Sequence, residues 1–207
     1  IQTLHLLILM VNIDFLIFFL DKLIIFLEIS NLFELILSLA PIGFIRYLKQ
    51  MIKDPRPSWD EYFMNIAEVV ASRSNCSRRQ VAAVIVKDQR IISTGYNGTP
   101  KGIKNCFESG CKRCSSNSAS GLDLGECICN HAEENAIIQA AYHGVSVKNA
   151  TLYCTYSPCL LCAKMIINAG IKEVIYQDNY GYTTQTANLL ESVNIICRQI
   201  ITDKGKI

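Results

Sequence analysis

The sequence predicts a three-layer α/β domain with a mixed, five-stranded central sheet and helices on both faces. Short apolar runs alternate with amphipathic segments of helical period in the order α-β-β-α-β-α-β-α-β, an alternation typical of a sheet covered by helices. This pattern occupies residues 56–201, which is enough for one domain of ordinary size. The formal net charge of the chain is +2, so no overall basic field indicates a nucleic-acid partner.

The pattern begins with one helix and a β-hairpin. Ser58 and Glu61 have the spacing of a capping box, which predicts a helix start. An apolar stripe follows at helical spacing, formed by Trp59, Phe63, Ile66, Ala67 and Val70. The continuous apolar run at 81–86 is typical of a buried strand, and a polar turn separates it from a second predicted strand at 91–96.

A long irregular segment, residues 99–130, comes next. It is rich in Gly, Ser and Cys and has little periodicity. A loop of this length inside a compact domain needs a source of order other than its own secondary structure.

Helices and strands then alternate to the end of the domain. We predict helices over 131–141, 159–169 and 186–193, and strands over 150–155, 172–176 and 195–201. Gly144 and Gly170 follow the first two helices, where glycine commonly ends a helix.

Residues 1–55 differ from the rest in composition. The first fifty are mostly Leu, Ile and Phe, with scattered charges that leave no uncharged run of the roughly 18 residues a membrane span needs. Three hypotheses stay open for this extension: translated non-coding sequence, a shortened N-terminal domain, or a helix that lies on a membrane surface. We expect no membrane partner for the domain. The prolines at 55 and 57 predict a linker, and residues 202–207 are expected to form a short tail.

One group of residues has the composition of a catalytic metal site. His131-Ala132-Glu133 is followed by Pro158-Cys159 and by Cys162. One imidazole and two thiolates leave the fourth position of a zinc tetrahedron open, as a catalytic zinc requires, and zinc in such a site activates water. Glu133 lies close enough in sequence to shuttle protons without binding the metal. Both ligand groups are placed at helix N-termini, where the helix dipole favours thiolates.

The remaining cysteines suggest a second site and a reducing environment. All ten cysteines lie at or after Cys76, and Cys111 and Cys114 have zinc-knuckle spacing. Because thiols used as metal ligands must stay reduced, we expect a cytoplasmic location.

Five passages of the sequence carry a family resemblance. They are RPSWDEYFMNIA at 56–67, SRSNCSRRQVAAVIV at 72–86, RIISTGYNGTPKG at 90–102, HAEENAI at 131–137 and SPCLLCAKMIINAGIKEVIY at 157–176. The His-x-Glu … Pro-Cys-x-x-Cys pattern within them is the signature of zinc-dependent nucleobase deaminases. Together the passages resemble the deoxycytidylate deaminases of the cytidine deaminase-like superfamily. GCKRC at 110–114 and ECICNHAEENA at 126–136 are most similar to the cysteine-rich eukaryotic microbial branch.

The resemblance implies the cytidine deaminase-like fold and hydrolysis of dCMP to dUMP and ammonia, which supplies dUMP for dTMP synthesis. By resemblance, His131, Cys159 and Cys162 bind the catalytic zinc and Glu133 is the acid–base catalyst. The same resemblance assigns substrate contacts to the Asn97 side chain, the Ala132 backbone N–H, the Ser157 carbonyl and the Tyr180 ring.

Some members of the family carry a second, structural zinc, and by resemblance Cys76 and Cys106 would bind it here. Adding Cys111 and Cys114 would complete a four-cysteine site, in which Cys127 or Cys129 could replace one of that pair. The alternative is a set of reduced, partly buried thiols. The resemblance also implies a homo-oligomer, with dCTP and Mg²⁺ as activator and dTTP as inhibitor.

Two other functions stay open on sequence alone. One is a nucleic-acid-editing deaminase acting on tRNA adenosine or on cytosine in a polynucleotide, which should show a basic groove with aromatic platforms. The other is a catalytically silent, deaminase-like binding subunit. Arg78 and Arg79 could contact a phosphate, although paired arginines are also typical of a solvated surface.

Overall fold

The computed structural model describes residues 54–119, 122–180 and 183–201, and these contain a five-stranded mixed sheet. The strands are Ala82–Lys87 (β1), Arg90–Tyr96 (β2), Thr151–Tyr156 (β3), Glu173–Asp178 (β4) and Ile196–Gln199 (β5), in the order β2-β1-β3-β4-β5. Strand β1 pairs antiparallel with β2 and β3, whereas β3, β4 and β5 are parallel. The predicted mixed sheet is confirmed.

Helices cover both faces of this sheet, as the sequence predicts. They are Trp59–Ala71 (α1), Lys112–Ser115 (α2), Ala132–Tyr142 (α3), Leu160–Ala169 (α4) and Thr184–Glu191 (α5). One face packs on α1 and the other on α3, α4 and α5. Alternate side chains of β1 divide between the two layers, with Val84 and Val86 toward α1 and Ala83 and Ile85 toward α3, because successive strand residues point to opposite faces.

Helix α1 begins with the predicted capping box. The Glu61 carboxylate accepts from the Ser58 backbone N–H at 2.8 Å, and Ser58 Oγ accepts from the Glu61 N–H at 3.3 Å. Phe63 is buried as predicted, whereas Trp59 is 51% exposed and stacks on Phe63 at a centroid distance of 5.6 Å. The tryptophan therefore covers the edge of the core.

Helix α3 lies unusually close to strand β2. A Cβ atom at Gly95 would overlap the backbone of Ala132 and Ala136, and Ser93 Oγ donates to the Ala136 carbonyl at 2.7 Å. This close approach fixes the start of α3, which is also the start of the predicted metal site.

The long loop is partly ordered by short helices and a bridge at its ends. It contains 3₁₀ turns at Cys106–Glu108 and Leu124–Glu126 in addition to α2. Gly98 and Asn130 exchange two backbone hydrogen bonds of 3.3 and 2.9 Å. The loop thereby leaves and rejoins the domain at one place, directly before His131.

The predictions for residues 1–53 and 202–207 lie outside the described residues. A compact unit begins at Arg56, and the proposed division into an extension, a catalytic domain and a tail stays a prediction. Among the helices that the structure describes, none is both long and apolar enough to cross a membrane.

Candidate metal and catalytic site

Two helix starts bring the predicted zinc ligands together. His131 is the N-cap of α3 and Cys159 is the N-cap of α4, with Cys162 in the first turn of α4. Helix α4 follows β3 after a three-residue connection formed by Ser157, Pro158 and Cys159. The partial positive charge at both helix ends stabilises negatively charged ligands.

The distances fit one tetrahedral zinc ion. His131 Nδ1 lies 3.4 Å from Cys159 Sγ and 3.3 Å from Cys162 Sγ, and the three ligand atoms lie within 4.8 Å of one another. Zinc–nitrogen and zinc–sulfur bonds of ordinary length place tetrahedral N and S ligands about 3.5 Å apart. One nitrogen and two sulfur donors leave one position for water or substrate.

Contacts among the three donors shift the pKa of each of them. The hydrogen bond with Cys162, aided by His131, lowers the pKa of Cys159 to about 4, although burial acts in the opposite direction. The hydrogen bond with Cys159 raises the pKa of His131 to about 9. Contact with Cys159 and burial raise the pKa of Cys162. A divalent cation among these groups would favour both thiolates and the neutral imidazole.

Glu133 is buried beside the three donors. Glu133 is 4% exposed, and its carboxylate interacts with Cys162 and with His131. Burial raises the pKa of Glu133 to about 7, although its own backbone N–H and His131 lower it. A carboxyl group whose pKa lies near neutrality can both accept and release a proton under physiological conditions.

Three of the predicted substrate contacts lie at the ends of elements, Ala132 at the start of α3, Ser157 after β3 and Asn97 after β2. Ala132 is the first residue of α3, so its backbone N–H belongs to a turn whose N–H groups lack helical partners. Ser157 joins the ends of β3 and β4, since its N–H donates to the Asp178 carbonyl at 2.8 Å. The Asn97 side chain stabilises the loop around it. Its Nδ2 donates to the Arg79 carbonyl at 2.9 Å, and its Oδ1 accepts from the Val81 N–H and from Ser74 Oγ.

Tyr180 lies in a cation–π stack that the sequence does not predict. The Arg79 guanidinium carbon is 3.8 Å from the Tyr180 ring centroid and 5.0 Å from that of Tyr156. The Tyr180 N–H donates to Ser157 Oγ at 2.8 Å, which connects the stack to the segment that leads into Cys159. One terminal nitrogen of Arg79 is buried without a hydrogen-bond partner among the described residues.

The cysteines of the long loop gather in a second place. Cys76, Cys106, Cys114 and Cys129 form one set whose sulfur atoms all lie within 4.8 Å of one another, and Cys111, Cys114, Cys127 and Cys129 form another. The resemblance implied a set of Cys76, Cys106, Cys111 and Cys114, in which Cys127 or Cys129 could replace one of the last two. In the structure Cys129, rather than Cys111, completes the set around Cys76 and Cys106.

Comparison with known proteins agrees with this geometry. The model for the cytidine and deoxycytidylate deaminase zinc-binding region matches residues 57–178. The chain is 49% identical over 152 residues to the deoxycytidylate deaminase of Schizosaccharomyces pombe and 48% identical over 151 residues to that of Saccharomyces cerevisiae. Each alignment covers 73% of this chain but 47% of the relative, so the chain spans about half the length of these curated relatives.

A solved structure also resembles this chain. The dCMP deaminase from cyanophage S-TIM5, crystallised with dCMP and dUMP, is 33% identical, with a TM-score of 0.58. The match covers 71% of this chain and all of that protein. The family match extends over more than half of the sequence and includes every proposed ligand of the catalytic zinc. The chain therefore belongs to the zinc-binding cytidine and deoxycytidylate deaminase family.

Proposed function

We propose that the protein hydrolyses deoxycytidylate to deoxyuridylate and ammonia and so supplies dUMP for dTMP synthesis. The observation that carries the proposal is the buried Glu133 carboxyl beside one imidazole and two thiols that can hold zinc. The names of the relatives from both yeasts support the choice of substrate. Neither alternative from the sequence is favoured by a feature of the described residues.

The chain's own groups account for binding and proton transfer. Zinc held by His131, Cys159 and Cys162 would supply Lewis acidity that activates a water molecule. Glu133 takes a proton from that water and transfers it to N3 of the cytosine. A second proton, from the oxygen newly bonded to C4, passes through Glu133 to the leaving amine. The Ala132 N–H donates to the base O2, and the Ser157 carbonyl accepts from the amino group, which together orient C4.

The phosphate end of the substrate needs a cation, and Arg79 is the best-placed candidate. The two tyrosine rings hold its guanidinium near the ends of β3 and β4. Its buried terminal nitrogen, which has no hydrogen-bond partner among the residues that the structure describes, can donate to a phosphate oxygen. Asn97 still has one amide hydrogen available for the sugar, because only one of its two is used in the bond to Arg79.

A substrate panel tests this proposal. The purified chain, with its zinc content measured, is assayed with dCMP, CMP, deoxycytidine, dCTP and a tRNA anticodon stem. We expect the highest kcat/KM with dCMP. Equal activity on deoxycytidine would contradict recognition of the phosphate, and zinc-loaded protein that deaminates none of the five would support a silent subunit.

Regulation and cellular setting follow from the same family relationship. We propose a homo-oligomer that dCTP with Mg²⁺ activates and dTTP inhibits, which requires two assembly states that bind each nucleotide with different affinity. Steady-state kinetics in dCMP, with and without each nucleotide, would test this, and hyperbolic curves that neither nucleotide changes would contradict it. A cytoplasmic location is consistent with ten free cysteines.

A further inference from the structure

We infer that the six cysteines of the long loop and its flanking segments bind two zinc ions that share two thiolates. The two four-cysteine sets have Cys114 and Cys129 in common. Cys76 and Cys106 complete the first set, and Cys111 and Cys127 complete the second. Six thiolates can give each of two ions four sulfur ligands only if two of them bridge both ions.

The sulfur positions have the spacing of a metal–thiolate cluster. Cys127 Sγ lies 3.8 Å from Cys111 Sγ and 3.7 Å from Cys114 Sγ. Two sulfurs on one tetrahedral zinc lie about 3.8 Å apart, whereas disulfide-bonded sulfurs lie about 2.05 Å apart. All six cysteines are free, and four of them, Cys106, Cys111, Cys114 and Cys129, are at most 9% exposed.

Backbone N–H groups donate to a sulfur atom in each of the two sets. The Ser77 N–H donates to Cys106 Sγ at 3.5 Å, and the backbone N–H groups of Cys114 and Ile128 donate to Cys111 Sγ. Donors aimed at sulfur stabilise the negatively charged thiolate. A single ion in the first set would leave the buried Cys111 as a spectator despite its two donors. A single ion in the second set would leave Cys106 unbound, although Ser77 donates to its sulfur.

Cationic side chains border the cluster. Two zinc ions and six thiolates carry a net negative charge, and a cluster buried among neutral groups would be unfavourable. The Arg78 guanidinium donates to the Cys114 carbonyl at 2.9 Å. Arg113, which is buried, donates to the Leu122 carbonyl at 2.8 Å. These two arginines bring positive charge next to Cys114, one of the proposed bridging residues.

The cluster would also restrain two segments near the proposed site, the one that leads into His131 and the one that contacts Asn97. Cys129 is two residues before His131, and the Cys76 N–H donates to Ser74 Oγ, which in turn donates to the Asn97 side chain at 2.6 Å. The two ions would thus provide the order that the irregular segment lacks. The sequence predicts only one structural zinc, because the spacing of the cysteines does not reveal that two sets overlap.

Metal analysis of the full chain tests the inference. Protein purified under reducing conditions without chelators should contain three zinc ions per chain, one catalytic and two in the cluster. Cys127→Ser removes a ligand of the second set only and should lower the content to two. The matched control Cys197→Ser, on β5, should retain three. Wild-type protein with two zinc ions or fewer would overturn the inference.

X-ray absorption at the zinc edge provides a test that needs no variant. Two zinc ions bridged by two thiolates lie about 3 Å apart, given ordinary zinc–sulfur bonds. We expect a zinc–zinc scattering contribution at that distance in the wild-type protein. Its absence from protein with three bound zinc ions would show separate sites and overturn the inference.

Discussion

Glu133 is the residue on which the proposed chemistry depends most directly. It is buried beside the metal donors, and burial raises its pKa to about 7. Replacement by Gln keeps the size of the side chain but removes its ability to relay protons. We therefore expect Glu133→Gln to lower kcat/KM for dCMP by at least about 100-fold, the usual contribution of general acid–base catalysis, while zinc stays bound.

Zinc content and dCMP turnover are measured on the same preparation of this variant. Glu191→Gln is the matched control, since this exposed carboxylate ends α5 and belongs to none of the groups that could hold a metal among the described residues. It should leave kcat/KM unchanged. A Glu133→Gln enzyme that keeps more than about one-hundredth of the wild-type rate would exclude the assigned role.

Arg79 is the residue whose substitution should separate nucleotide from nucleoside recognition. Its guanidinium stacks on Tyr180 and has a buried nitrogen without a partner among the described residues. Arg79→Met keeps the length of the side chain and removes the charge. A hydrogen bond to a charged group contributes about 1.5–3 kcal/mol, so kcat/KM for dCMP should fall by about ten- to one-hundredfold.

Activity on deoxycytidine should change little in the same variant, because that substrate has no phosphate. Arg73→Met, at an exposed position after α1, is the control and should affect neither substrate. An equal loss on dCMP and deoxycytidine would mean that Arg79 supports the loop rather than the phosphate.

The residues that the sequence grouped into one site and those that it did not group differ in how far apart their partners lie in the sequence. The metal donors follow a short pattern with defined spacing, so the sequence indicated them together, and the structure places them within 4.8 Å. Arg79 and Tyr180 are about one hundred residues apart and have no recognisable spacing. Their stack exists only because β1, β3 and β4 are neighbours in the sheet, and that order is a tertiary property.

At the scale of elements, local sequence signals predicted where helices and strands lie, but they did not predict which side chains of a helix are buried. The capping box placed the start of α1 correctly, because it depends on two residues of one turn. The predicted stripe put Trp59 in the core, yet it is half exposed, while Met64 is fully buried. Which side of a helix faces the sheet depends on the packing partner as well as on the helix pattern.

Gly95 determines how closely α3 approaches the sheet. A methyl group there would overlap the backbone at Ala132 and Ala136, and backbone cannot move as a side-chain tip can. We expect Gly95→Ala to lower the free energy of unfolding by about 1–3 kcal/mol, the usual cost of overpacking, and to weaken zinc binding because His131 starts the same helix. Denaturant unfolding and zinc titration measure the two effects.

Gly125 provides the matched control for this substitution. A Cβ atom at Gly125 meets no atom within 4 Å, so Gly125→Ala should be nearly neutral. If Gly95→Ala were as stable as the wild type, α3 would be able to move away from β2, and the close packing would not fix the metal site.

At the scale of the whole molecule, the catalytic groups and the cysteine cluster all lie after residue 56. The family match begins at residue 57, and the capping box at Ser58 provides the first helix with its own start. These features predict that the chemistry needs no group from the extension, whichever of the three hypotheses for it is correct.

Deletion of residues 1–50 should therefore leave deamination intact. We expect residues 51–207 to show the same kcat/KM for dCMP as the full chain, within about twofold. Solubility should increase, because the first fifty residues are mostly Leu, Ile and Phe, and a large exposed apolar surface promotes association. Circular dichroism establishes whether the shorter protein folds, and zinc analysis establishes whether its sites are filled. If it folds and binds zinc but no longer deaminates dCMP, the extension contributes to the active assembly, and the proposed boundary at residue 55 is wrong.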